Sequence, residues 1–110
     1  MKKTLLAIAA LTLSAPSFAG FQVGTVKSVT VRDSDGLVFF VLNGTAREGR
    51  PTCAGQTYWM IKNETTLAGK QLYAQVLAAQ LSGKTLTVEG AGTCTRWPDG
   101  EDVRSISLGD

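Results

Sequence analysis

The chain has 110 residues, with eleven Lys and Arg against nine Asp and Glu, two cysteines and no histidine. That length holds one domain. Without histidine the commonest general base is missing, as is every Ser-His or Cys-His catalytic pair, and a zinc site would need an unusual ligand set.

The first nineteen residues read as a secretory leader and not as part of that domain. Lys2 and Lys3 form a charged start and residues 5–13 an apolar run. Ser17 and Ala19 then put small residues at the two positions a signal peptidase reads, so the expected cut lies between Ala19 and Gly20. The apolar run is too short for a bilayer, which takes about 20 residues, and Pro16 interrupts it. The expected domain is therefore residues 20–110, periplasmic or secreted, with no membrane insertion after cleavage. Two of the eleven basic residues leave with the leader, so nine remain against nine acidic ones. A formally neutral domain carries no electrostatic footprint for nucleic acid. In an exported domain Cys53 and Cys94 read as one disulfide.

Residues 21–32, FQVGTVKSVTVR, read as a long strand with Phe21, Val23, Val29 and Val31 on one face. Gly24 within it marks a bend or bulge, as in a strand that curves to serve two parts of a small barrel. Asp33-Ser34-Asp35-Gly36 is a tight turn. Residues 37–42, LVFFVL, form a second strand, and residues 45–56 a polar loop holding Cys53. Residues 57–62, TYWMIK, form a third strand with Trp59 and Ile61 on one face and Tyr58 and Met60 on the other.

The helix comes next, over residues 65–83. Leu67, Leu72, Val76, Leu77 and Leu81, helped by Tyr73 and Ala79, are expected to bury one face, with Lys70, Gln71 and Gln75 opposite. Thr65 or Thr66 supplies the N-cap and Gly83 the left-handed terminator. Residues 84–89, KTLTVE, alternate as a half-buried strand. Gly90-Ala91-Gly92 loosens it, residues 93–97 resume strand as Cys94 docks, and Trp97-Pro98-Asp99-Gly100 turns the chain into a last strand over residues 103–108. Ile106 and Leu108 are expected to face inward. Asp99, Glu101 and Asp102 have the composition of a solvated turn.

Three strands, a helix and two strands is the element order of the OB-fold, a five-stranded Greek-key barrel in which the helix plugs one end. The stretch CAGQTYWMIKNETTLAGKQLYAQVLAAQLSGKTLTVEG, residues 53–90, resembles the middle of small exported OB-fold proteins related to the subtilase-cytotoxin type of toxin binding subunit. The shared features are a cysteine before the third strand, an aromatic strand, a helix ending in a Gly-Lys turn and an alternating strand. That resemblance implies a glycan-binding module and a ring-shaped homo-oligomer, although the family's glycan-contacting motif is not matched residue by residue. Small bacterial periplasmic OB-fold proteins are a second relative by size and leader, without so long a helix or this disulfide.

The expected function is accordingly a non-enzymatic binding module for a glycan or another cell-envelope component, with a glycan or an envelope protein as partner. The alternative is a protein-interaction or stress-related OB-fold protein with no small ligand. Trp97 and Tyr58 are the expected stacking residues, and Arg96 and Arg104 the expected donors to hydroxyls or a carboxylate. No catalytic residue is expected. No phosphate-cradling glycine motif is present, and Asp33 and Asp35 lack the following glutamate of a calcium loop, so neither cofactor nor metal is expected.

Overall fold

The structure, a computed structural model, describes residues 19–109. The expected leader, apart from Ala19, lies outside the described residues. The elements are β1 (Phe21–Val31), β2 (Val38–Gly44), β3 (Trp59–Met60), α1 (Leu67–Ser82), β4 (Leu86–Gly90) and β5 (Glu101–Leu108). The fold is mainly β with one helix. Its five strands are hydrogen-bonded in the order β1-β2-β3-β5-β4, and β4 returns to β1, so the ring closes. All pairings are antiparallel except β3 with β5.

Closure depends on β1 serving two neighbours. Its first residues pair with β4, where Phe21 faces Glu89, and its last pair with β2, where Val31 faces Val38. The hand-over falls at Gly24, opposite both Leu86 and Gly44. A Cβ on Gly24 would stand 2.1 Å from the Asn43 carbonyl oxygen, so only glycine allows the backbones to come this close. The register then slips between Val26 and Ser28, a bulge that adds the bend expected of this strand.

β3 is two residues long where six were expected. The Gln56 and Tyr58 carbonyls are turned to the Arg47 guanidinium, at 3.3 and 3.2 Å, which occupies acceptors that a longer strand would offer a neighbour. Trp59 and Ile61, expected on one face, are both buried. Met60 is also fully buried, whereas Tyr58 is only half-buried. Residues 93–97 do not resume strand, and β5 begins two residues earlier than expected, at Glu101.

α1 keeps its expected ends. The Thr66 hydroxyl accepts from the Gly69 amide, and Gly83 closes the helix at φ 69° while its amide donates to the Ala79 carbonyl. Its buried face differs from the expected stripe. Gly69, Val76 and Ala79 are buried and Leu72 packs on the core, while Leu67 is 72% and Leu81 89% exposed. At about 100° per residue, Leu67 and Leu81 fall on the side away from that face. The helix packs against β1 and β5, and its buried face meets Phe40, Leu42, Trp59, Leu86 and Val88 in one core. Ile106 packs there as expected, but Leu108 stays 37% exposed near the end of β5.

Cys53 and Cys94 form the expected disulfide, with Cα atoms 6.1 Å apart and a sequence separation of 41. It ties the loop before β3 to the loop after β4.

Candidate functional site

The turn after β1 and the loop between β4 and β5 meet at one rim of the ring. Arg32 follows the last residue of β1 and forks onto Asp35, with Nε 2.9 Å from Oδ1. The Arg32 amide also donates to the Leu37 carbonyl at 2.8 Å, which closes the turn. Its guanidinium lies over the Trp97 ring, 4.0 Å from the ring centroid. Arg96 joins three segments: Nη2 donates to the Asp35 carbonyl at 2.8 Å, and Nε reaches Glu64, just before α1, at 3.1 Å. The Arg32 hydrogen bond holds the Asp35 carboxyl well below its ordinary range, and the Arg96 hydrogen bond lowers that of Glu64.

Asp102 holds the loop carrying Trp97 from beneath. It is fully buried and accepts from the Thr93 hydroxyl (2.7 Å), the Thr95 amide (2.8 Å), the Thr95 hydroxyl (2.7 Å) and the Arg96 amide (3.2 Å). Burial alone would raise its pKa, but these hydrogen bonds together outweigh it and hold the carboxyl below the ordinary value. The loop therefore has a definite shape without being a strand.

The second aromatic group sits beside the same turn. Tyr58 contacts Phe39 of β2, with ring centroids 5.1 Å apart, and its hydroxyl donates to the Asp99 carboxylate. Burial, followed by that hydrogen bond, pushes the phenol above its ordinary pKa.

Of the residues expected to bind a ligand, three therefore share this rim. Trp97 is 39% exposed. Tyr58 is half-buried and linked to the Trp97 turn through Asp99. Arg96 directs its guanidinium to Glu64 and Asp35, so it braces the rim. Arg104 lies elsewhere, on β5, where with Ile106 and the Ala68–Ala78 side of α1 it lines a groove of about 650 Å³. Sequence reasoning pointed to the turn holding Asp35 but missed Arg32 and Glu64 as parts of the rim. The spacing of Arg32 and Asp35 across a turn was a usable signal; the role of Glu64, 32 residues from Arg96, had none.

The solvated-turn reading of residues 99–102 needs correcting. Glu101 and Asp102 are both fully buried because they open β5, paired in parallel with Trp59 and Met60. Adjacent strand residues point to opposite faces, so the two carboxylates enter different networks. Asp102 holds the 93–96 loop. Glu101 Oε1 accepts from Arg47 Nη2 at 2.8 Å, and Oε2 accepts from the Gly20 amide at 2.8 Å and the Gly92 amide at 3.1 Å. Arg47, its side chain 5% exposed, stacks 3.7 Å from the Trp59 ring centroid, and the Trp59 indole donates to Gln22 at 2.8 Å. Burial lowers the Arg47 pKa while Glu101 opposes that shift. The Arg47 Nε is buried without a hydrogen-bond partner among the described residues. Beside this network Arg47 and Arg50 line a cleft of about 410 Å³.

Among the described residues there is no cluster of metal-ligating side chains, and no helix is long and apolar enough to cross a membrane. No protein-family model, curated protein or solved structure matches the chain.

Proposed function

We propose that the chain is an exported OB-fold binding module that recognises a glycan of the cell envelope at the rim around Trp97. The OB-fold reading is supported by the ring order, by β1 shared between β2 and β4, by the parallel β3–β5 pair and by the helix between β3 and β4. OB-folds bind oligosaccharides and oligonucleotides on the face of strands 2 and 3 and on the loops after strands 1 and 4. Those are the loops that meet here. The disulfide is compatible with an oxidising compartment.

The observation that carries the glycan reading is the fixed, partly exposed Trp97. Arg32 lies over its ring, Asp102 anchors its loop, and 39% of the residue faces solvent. An aromatic platform held this way offers a π-surface to a sugar ring at little ordering cost. Tyr58, just before β3, and Phe39 of β2 add a second aromatic pair, and Arg32 and Asp35 supply polar groups beside Trp97.

The test is a glycan array probed with the exported protein and with Trp97→Ala, alongside native mass spectrometry. The expected result is binding to a restricted glycan class, lost in Trp97→Ala while its unfolding transition stays within about 1 kcal/mol of the parent. No glycan signal from folded wild-type protein overturns this reading in favour of a protein-interaction module. Native mass spectrometry reports separately whether the ring-forming homo-oligomer implied by the toxin-subunit resemblance exists.

A further inference from the structure

We infer that leader cleavage creates a structural ion pair: the new α-ammonium of Gly20 docks on the buried carboxylate of Glu101. A sequence expectation and a structural contact meet at this residue. The Ser17-Phe18-Ala19 pattern places the scissile bond between Ala19 and Gly20. Gly20 is held by hydrogen bonds on both sides of its backbone. The Gly20 amide donates to Glu101 Oε2 at 2.8 Å, and its carbonyl accepts from the Gly90 amide at 2.8 Å. Phe21 then exchanges both backbone hydrogen bonds with Glu48. Gly20 is buried, and Ala19 just before it is exposed.

Hydrolysis by a signal peptidase adds water across the Ala19–Gly20 bond, leaving a carboxylate on Ala19 and an amine on Gly20 that is protonated at neutral pH. The nitrogen that donated as an amide then donates as an ammonium to the same oxygen. Charge-assisted hydrogen bonds of this kind are roughly twice as strong as neutral ones. Glu101 Oε1 remains on Arg47, so the carboxylate binds one cation on each oxygen. The departed Ala19 opens the amine's outer side to water.

The site also selects the residue after the cut. A Cβ at position 20 would stand 2.2 Å from Glu101 Oε1 and 3.1 Å from the Trp59 ring, so a side chain there displaces the carboxylate that receives the ammonium. Glu101 thus has a role that neither the rim nor the disulfide explains: it senses a correctly processed N-terminus and fixes it next to the Arg47–Trp59 stack. This inference rests on export and is independent of what Trp97 binds.

The experiment exports the full chain from a bacterial host and reads the intact mass of the product. A chain beginning at Gly20 is expected, and any other start overturns the inference. The same protein is then compared with a variant carrying one serine inserted after Ala19, whose processed form extends Gly20 by one residue. The extension should lower Tm by about 5 °C, in the range produced by losing one charge-assisted bond in a domain this size. Equal Tm values overturn the docking. A second measurement uses native protein only. Amine acylation followed by peptide mass mapping at neutral pH should modify the Gly20 amine at least about tenfold more slowly than the serine-extended terminus, as a docked ammonium requires. Equal rates overturn it. Glu101→Gln, where it folds, should make the free and extended termini indistinguishable in both measurements, and a difference that persists in that variant overturns the role of Glu101.

Discussion

At the scale of single residues, Asp102 shows how a buried carboxylate can be tolerated and used. Its hydrogen bonds come from three residues of one loop, Thr93, Thr95 and Arg96, and satisfy it with no direct counter-ion among the described residues. Removing its charge while keeping its size, as in Asp102→Asn, leaves donors facing an amide and should cost about 1–3 kcal/mol, measured by urea unfolding at pH 7. The sign of the acid dependence follows from the same bonds. Asp35, Glu64 and Asp102 are held below ordinary values of 3.8, 4.5 and 3.8, so the folded state binds these protons more weakly than the unfolded chain. Their contribution is complete above about pH 5 and is lost as pH falls through those ordinary values toward the lower folded ones. Asp35 and Glu64 are partly exposed and so partly screened, whereas Asp102 is fully buried and should carry most of the slope. The urea midpoint should therefore drop between pH 5 and pH 3, and drop less in Asp102→Asn. A parallel decline in both proteins would assign the acid sensitivity elsewhere.

At the scale of elements, α1 separates what helix signals specify from what packing specifies. Thr66 and Gly83 act at the ends through local backbone hydrogen bonds, and both were readable from residue type. The buried face was harder to read, because alanines and glutamines surround a face built on small residues. Val76, Ala79 and Leu72 make the core contact, while Gly69 lies tight against the Asn63 backbone just before the helix, and Leu67 and Leu81 fall on the opposite side. Val76→Ala should therefore cost about 1–3 kcal/mol by removing buried methyl groups from the core, while Leu81→Gln should change stability by less than about 0.5 kcal/mol. Comparable losses in the two variants, measured by urea unfolding, would mean that Leu81 is covered in solution. β3 shows the complementary case: Arg47, eleven residues from Tyr58, takes carbonyls that its sequence alone would leave to a strand.

For the whole molecule, ring closure and the disulfide act on the same segments. The Cys53–Cys94 bond encloses β3, α1 and β4, and so joins the two loops that approach the rim and the Arg47–Glu101 network. On the chain-entropy account, closing a loop of this length stabilises the fold by roughly 4 kcal/mol, a large share of what a domain of this size commonly has. Reduction with the thiols then blocked should lower the urea midpoint markedly, and reduced and oxidised chains should differ in mobility on denaturing gels. An unchanged midpoint would mean that packing alone fixes the loop approach. Trp97 should remain the most informative probe, since its fluorescence reports the rim while Trp59 reports the core.

The amino-acid sequence by itself determined the number and order of the elements, the helix caps, the β1–β2 turn and the pairing of the only two cysteines. These depend on local backbone preferences, on alternation, or on there being no other partner. It could not determine that Glu101 and Asp102 are buried, that Arg96 braces Glu64 and Asp35, or that Arg32 covers Trp97. Burial of a charge depends on donors brought from distant segments: Glu101 meets Gly20 across 81 residues and Arg47 across 54. Only closing the strands into a ring brings those donors together, and with them the rim.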